Sequence, residues 1–335
     1  MVTLRRCKPR DTRRIVDLMR VAMPMDAVTT DWFTDNILLD QHFDPDGLII
    51  AEVEAQVVGF AVAVTAVGQE SVGMPVPDGG GWITLFAVHP DHRGRGIGRT
   101  LIRAAVRHLA DRGARFVQLA GYPPAYLVPG VDAEAYPEAL ALLESEGFTT
   151  RSSPVAMDLS LATHRAPEAV LALRGRREAE GYRFSAATLE DLPEVIKHAA
   201  TDLAPDWGEV VRQSVRQHRR PERVLLIRAP DGTVVGFATY GAYGGMIERF
   251  GPFGVRDDQR GAGLGRILLY ETLAAMRAEG AHVAWFLWTG EESPAGQLYL
   301  ATGFTVTRRF QVLQRDLDQR STPPNAQLPT AAHQE

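Results

Sequence analysis

A single cysteine, Cys7, stands in 335 residues. Its solitude excludes an internal disulfide and a cysteine-built metal cluster. It falls in an expected edge strand with no histidine motif beside it, so packing is its expected role rather than nucleophilic attack. No run of about 18 apolar residues occurs, so no membrane-spanning helix is expected. The opening MVTLRRCKPRD lacks an apolar stretch of signal-peptide length, and the cytoplasm is the expected compartment. Charge of one sign is scarce as well: a net of −5 provides no basic surface for nucleic acid or anionic lipid, and it mildly favours a cationic amine. Two common glycine patterns for nucleotide phosphates, Gly-x-Gly-x-x-Gly and Gly-x-x-x-x-Gly-Lys-Ser/Thr, do not fit the glycine loops of this chain.

What remains is ordinary globular material, 45% apolar and 23% charged, long enough for two domains. Its organising feature occurs twice. Residues 88–113 read VHPDHRGRGIGRTLIRAAVRHLADRG and residues 255–280 read VRDDQRGAGLGRILLYETLAAMRAEG; a shift of 167 positions sets Val88 on Val255, Arg93 on Arg260, Gly96 on Gly263 and Gly98 on Gly265. Each copy begins as a strand, crosses three alternating glycines and enters a helix. Leu101, Ile102, Ala105, Val106 and Leu109 share one helical face, as do Leu268, Leu269, Thr272, Leu273 and Met276, while Gly113 and Gly280 supply left-handed C-caps. A loop without side chains that feeds a helix start gathers unpaired N–H groups and the positive end of the helix dipole at one point. That combination suits a pyrophosphate.

The repeat extends beyond the loops. Val-Val-Gly-Phe-Ala occurs at Val57 and again at Val234, each time in the second strand of an expected hairpin. Strands at 115–120 and 282–288 follow the two helices, then short helices ending in Gly147-Phe148 and Gly303-Phe304, then strands at 155–161 and 305–313. The chain therefore reads as an internal duplication: a first domain over 1–162, a charged connector helix over 163–181, a second domain over 182–318 and a mobile tail over 319–335. The first copy is longer in two places, in QESVGMPVPDGGG and near GYPPAYLVPGVDAEAYP.

Arg93-x-x-Gly96-x-Gly98 and Arg260-x-x-Gly263-x-Gly265 resemble the Gln/Arg-x-x-Gly-x-Gly/Ala signature of the GNAT superfamily of N-acetyltransferases, and the order of elements resembles that fold over nearly the whole chain. The resemblance implies an α/β architecture of two tandem GNAT folds with mixed sheets. It implies acetyl-CoA as co-substrate with no metal, and direct attack by a small-molecule primary amine in a ternary complex. It also implies a monomer or homodimer with no nucleic-acid or membrane partner. Coenzyme A would lie on Val88, Arg93, Gly94, Arg95, Gly96, Ile97, Gly98 and Arg99, and on Val255, Arg260, Gly261, Ala262, Gly263, Leu264, Gly265 and Arg266. An oxyanion donor would be a backbone N–H near Val88 or Val255, where Pro252 makes a strand bulge physically sensible.

The chemistry needs more than a cradle. A lysine-like amine must be neutral to attack, at a cost of about 4.6 kcal/mol at pH 7, and the departing thiolate needs a proton. In the family a tyrosine in Ala-x-x-Leu-Tyr commonly supplies it, which maps to Tyr299; the first copy has Leu143 there. Glu248, ahead of the second glycine loop, is the candidate base, one position out of the usual register. The second domain is thus the expected catalytic unit and the first a degenerate or regulatory one. Two other readings stay open: activity mainly in the first domain with Tyr126 or Tyr136 as acid, and a binder of acyl-CoA that never turns over.

Overall fold

The computed structural model describes residues 2–26, 28–65, 79–122 and 126–317. The expected tail over 319–335 and most of the first length difference, QESVGMPVPDGGG, lie outside them. The first half runs β1 (Thr3–Arg6), α1 (Asp11–Ala22), α2 (Thr30–Phe33), β2 (Leu48–Val53), β3 (Gln56–Thr65), β4 (Gly80–Val88), α3 (Ile97–Asp111), β5 (Phe116–Leu119), β6 (Val131–Asp132), α4 (Pro137–Ser145), β7 (Thr149–Ser152) and β8 (Val155–Ser160). A connector, α5 (Glu168–Ala179), leads to β9 (Arg183–Ala186), α6 (Leu192–His198), α7 (Trp207–His218), β10 (Val224–Arg228), β11 (Val234–Tyr240), β12 (Phe250–Val255), α8 (Leu264–Ala278), β13 (Val283–Thr289), α9 (Pro294–Thr302) and β14 (Thr305–Asp316).

In each half a hairpin meander leads into the strand ahead of the glycine loop. β1 to β4 pair antiparallel in order, and β9 to β12 do the same. The apolar faces read from the sequence are the faces that pack. Leu101, Ile102, Ala105 and Leu109 of α3 are buried on one face of the first sheet, and Ile15, Val16 and Met19 of α1 are buried with Phe60, Val62 and Trp82 on the other. In the second half Leu268, Leu269, Leu273 and Met276 of α8 are buried. Gly59 matters to this contact: a Cβ there would stand 2.9 Å from Leu101, so its absence lets α3 approach β3 closely. Gly113 and Gly280 adopt φ of 83° and 103°, the left-handed conformation expected of them.

The closing strands depart from the expected plan, in which each half ends on its own strand. They are exchanged. The last part of β14 pairs with β5 of the first half, Gln314 opposite Gln118 and Asp316 opposite Phe116, while β8 of the first half pairs with β13 of the second, Ala284 opposite Leu159. The two crossing segments also meet each other, Thr305 opposite Asp158, so one ten-stranded sheet runs through both halves. The alternation of a strand fixes its two faces but not its neighbour, which is why this pairing is silent in the sequence.

Candidate functional site

The two strands that flank the glycine loop in the first half pair only over a short distance. β4 and β5 run parallel from Gly80 opposite Phe116 to Ile83 opposite Leu119, and the last bond is Ala120 N–H to the Ile83 carbonyl at 2.9 Å. At that point β4 carries a bulge: Val62 faces Leu85, Ala63 faces Ile83, and Thr84 is left over, its hydroxyl buried without a partner among the described residues. Beyond the bulge the strands part. His89 donates to Val58 of β3 at 2.8 Å, and antiparallel alternation then turns the N–H groups of Phe86 and Val88 away from β3, into the opening. The Val88 carbonyl faces the same way and accepts from Arg93 Nε at 3.3 Å.

This opening is a cavity of about 760 Å³. One wall is β4 from Ile83 to Val88, the other Leu119 and Ala120, and α4 adds Ala139 and Leu142. The glycine loop forms one end. Gly94 and Gly96 have φ of 72° and 77°, and a Cβ on either would meet nothing within 4 Å. Helix α3 starts with Gly96 as N-cap and without a side-chain cap, so its first N–H groups are free to hold an anion. Arg93, Gly94, Gly96, Ile97, Gly98 and Arg99 line the cavity with Val88; Arg95 is exposed and does not. Arg99 and Arg103 both bind the buried Glu146 at the end of α4, at 2.8 and 2.7 Å, and so fix α4 against α3. The opposite end is polar. There Asp26, Tyr136 and Arg308 line the cavity, with Tyr136 donating to Asp26 at 2.8 Å. Burial, then the Asp26 charge, pushes the Tyr136 phenol above its ordinary value, which makes it a hydrogen-bond donor and a poor acid.

The second half has the same loop and a different interior. Gly261 and Gly263 have φ of 82° and 73°, and α8 begins with Gly263 as its N-cap. However, the connector α5 lies on this loop: Arg177 Nε donates to the Ala262 carbonyl at 2.8 Å, and a Cβ on Gly263 would stand 2.7 Å from Leu173. The bulge expected around Pro252 is present, with Gly251 and Pro252 opposite Thr239. The slot beyond it is packed with rings. Phe250, Phe253, Phe286, Tyr299 and Phe304 form one cluster, with Phe286 and Tyr299 centroids 4.5 Å apart. Three of these stand where the first half has Ile83, Leu119 and Leu143.

The candidate catalytic residues Tyr299 and Glu248 do not line the first-half cavity. Tyr299 is 6% exposed, and among the described residues no group hydrogen-bonds to its hydroxyl; burial pushes its phenol up. The side chain packs against Phe250, Phe253, Phe286 and Phe304 and does not line the first-half cavity. Glu248 lies in the turn before β12 rather than on the strand, and its backbone carbonyl accepts from Trp285 at 2.9 Å. The bulged residues, Gly251 and Pro252, come after it in the chain. Val255, Leu264 and Gly265 pack with the loop, while Arg260 pairs with Asp257 at 2.5 Å and Arg266 is exposed. Tyr126 lies edge-on to Trp288 at 5.3 Å and is not among the cavity residues. Asp26 and Arg308 were not foreseen. Asp26 follows α1 in no recognisable motif, and Arg308 arrives through the exchanged strand.

Residues 13–125 and 189–304 each match the acetyltransferase (GNAT) family. The chain belongs to that family. Acetyl-CoA is the donor its members use. The chain is 25% identical over 303 residues to a mycothiol acetyltransferase of Clavibacter michiganensis subsp. michiganensis, covering 88% of this chain and 89% of that one. Among solved structures, a tandem GNAT protein from the clavulanic acid biosynthesis pathway superposes with a TM-score of 0.63 at 16% identity, covering 94% of this chain and 98% of that one. The GCN5-related glucosamine N-acetyltransferase region of a fungal multi-domain GH3 β-N-acetylglucosaminidase gives a TM-score of 0.78 at 16% identity, over 94% of this chain and 38% of that chain. These structural likenesses concern the fold, which is that of two tandem GNAT units.

Proposed function

We propose that this acetyltransferase moves an acetyl group from acetyl-CoA to the primary amine of a small molecule, and that the first half carries the reaction while the second is chiefly scaffold. The observation that supports this most is the contrast between the two loops. The first opens on a cavity of about 760 Å³; the second is overlain by Leu173 and backed by five aromatic rings. The pyrophosphate would sit on the N–H groups at the start of α3, and the pantetheine arm would run along the freed edge of β4. The N–H groups of Phe86 and Val88 face that edge, and one aimed at the thioester carbonyl is worth about 3–4 kcal/mol to the developing oxyanion. The neutral amine attacks the carbonyl carbon, the N–C bond forms, the C–S bond breaks, one amine proton passes to solvent and the thiolate takes up a proton. Holding both reactants in one cavity supplies the orientation that free encounter lacks.

The relatives named for mycothiol and glucosamine acetylation support a polar small-molecule acceptor. The test is free-thiol release from acetyl-CoA with a panel of amines, on the full chain and on Gly96→Asp, which puts a carboxylate where the pyrophosphate would lie. The proposal expects amine-dependent release that Gly96→Asp abolishes. Release that survives Gly96→Asp would move the reaction to the other half, and saturable acetyl-CoA binding with no release would make the chain a binder.

A further inference from the structure

The polar end of the first-half cavity is built from both halves of the chain. Arg308, on β14, reaches Asp26 beside α1 with Nη1 to Oδ1 at 2.7 Å and Nη2 to Oδ2 at 3.2 Å. Its Nε donates to Asp132 Oδ2 at 2.7 Å, and its guanidinium lies 4.7 Å from the Phe310 ring centre. Asp26 and Asp132 are 6% and 5% exposed. Two buried carboxylates against one guanidinium leave one negative charge over, at a place where water is scarce. At the mouth of the cavity Arg93 and Glu138 face each other at 3.7 Å and cancel. The two carboxylates differ in their partners and in their placement. Asp132 is occupied by Arg308 and by the N–H groups of Glu134 and Ala135, so it is structural. Asp26 also takes three donors among the described residues, but all three are side chains, and of the two carboxylates held by Arg308 it is the one that lines the cavity, with a fourth acceptor position left.

We infer that Asp26 determines acceptor specificity by taking the ammonium group of a small cationic amine, and that Arg308 is a positioning residue, delivered by strand exchange, which aims Asp26 into the cavity. The inference rests on the first-half reading of the site. It explains why a half whose own slot is filled is still needed: without β14 the first half has neither the strand beside β5 nor the group that orients Asp26. Recognition acts on the charged amine, and the proton leaves to water before attack. Amines that carry a carboxylate meet the surplus negative charge and are disfavoured.

The test uses the full chain and steady-state kinetics with glucosamine, ethanolamine and spermidine against aspartate and glutamate. Turnover should be confined to the cationic set. Asp26→Asn should raise the KM for the amine at least about tenfold with the acetyl-CoA KM within about twofold. Arg308→Met should do the same, and Arg308→Lys should recover part of the loss. If Asp26→Asn does not fold, Tyr136→Phe carries the test, since it removes one donor from Asp26 without altering the packing; its amine KM should shift while its acetyl-CoA KM does not. An unchanged amine KM, or equal use of glutamate, would overturn the inference. Failure of the first-half reading looks different: Gly96→Asp would then leave acetyl-CoA binding intact.

Discussion

Leu173 of the connector helix lies over Gly263, close enough that a Cβ on the glycine would stand 2.7 Å from it, whereas a Cβ on the corresponding Gly96 would meet nothing within 4 Å among the described residues. The second glycine loop keeps its left-handed backbone but is covered. If the second half is scaffold, uncovering its loop gains nothing, because the aromatic rings still fill the slot behind it. Leu173→Ala should change turnover by less than about twofold, well under 1 kcal/mol in barrier. A several-fold rise in initial rate would show instead that α5 holds a competent site shut.

Leu119 and Phe286 occupy equivalent places on the two strands that follow the glycine-loop helices. Leu119 lines the open cavity, and Phe286 helps fill the closed one. Leu119→Phe should transplant the obstruction: acetyl-CoA affinity falls at least about tenfold, while overpacking costs about 1–3 kcal/mol of stability. Titration together with a denaturant melt separates the two effects. Unchanged affinity in a folded variant would mean that the acyl chain takes another route.

Tyr299 touches Phe250, Phe253, Phe286 and Phe304 and donates to no described group. Tyr299→Phe should leave turnover within about twofold, and Tyr299→Ala should cost about 3–5 kcal/mol in unfolding free energy through the cavity it leaves. A tenfold loss of turnover in Tyr299→Phe, with stability unchanged, would return the tyrosine to the chemistry.

Glu146 binds Arg103 and Arg99, and these hydrogen bonds, that of Arg103 foremost, hold its carboxyl below the usual carboxylate range. A carboxyl depressed in the folded state stabilises fully above its unfolded value, about 4.3, and the contribution is lost as pH falls through the lower folded value. Glu146→Gln should therefore be destabilised by the same amount at all pH values above about 6, with the gap closing below about pH 4. Urea melts of both proteins across that range check it. A gap independent of pH would assign the effect to packing.

Much of this architecture was legible in the sequence because it depends on local period. The faces of α3 and α8, the hairpin at β2 and β3, the two left-handed caps and the two glycine loops all follow from spacing and from glycine's freedom at positive φ. The exchange of β8 and β14 was not legible, since either strand satisfies the same alternation beside its own sheet or the other, and Arg308 went unseen for that reason. The tyrosine at 299 in place of Leu143 was legible as an asymmetry of the halves, but what surrounds it was not: Phe250 and Phe286, which stand where the first copy has Ile83 and Leu119, come from two different strands and meet Tyr299 only in the fold.

The central claim is that the first loop holds the acetyl donor. Calorimetric titration of acetyl-CoA into the full chain, Gly96→Asp and Gly263→Asp tests it most directly, with thermal melts to confirm that each protein is folded. The account predicts one site per chain, lost in Gly96→Asp and retained in Gly263→Asp. Binding that survives at the first loop's expense, retained in Gly96→Asp and lost in Gly263→Asp, would contradict it.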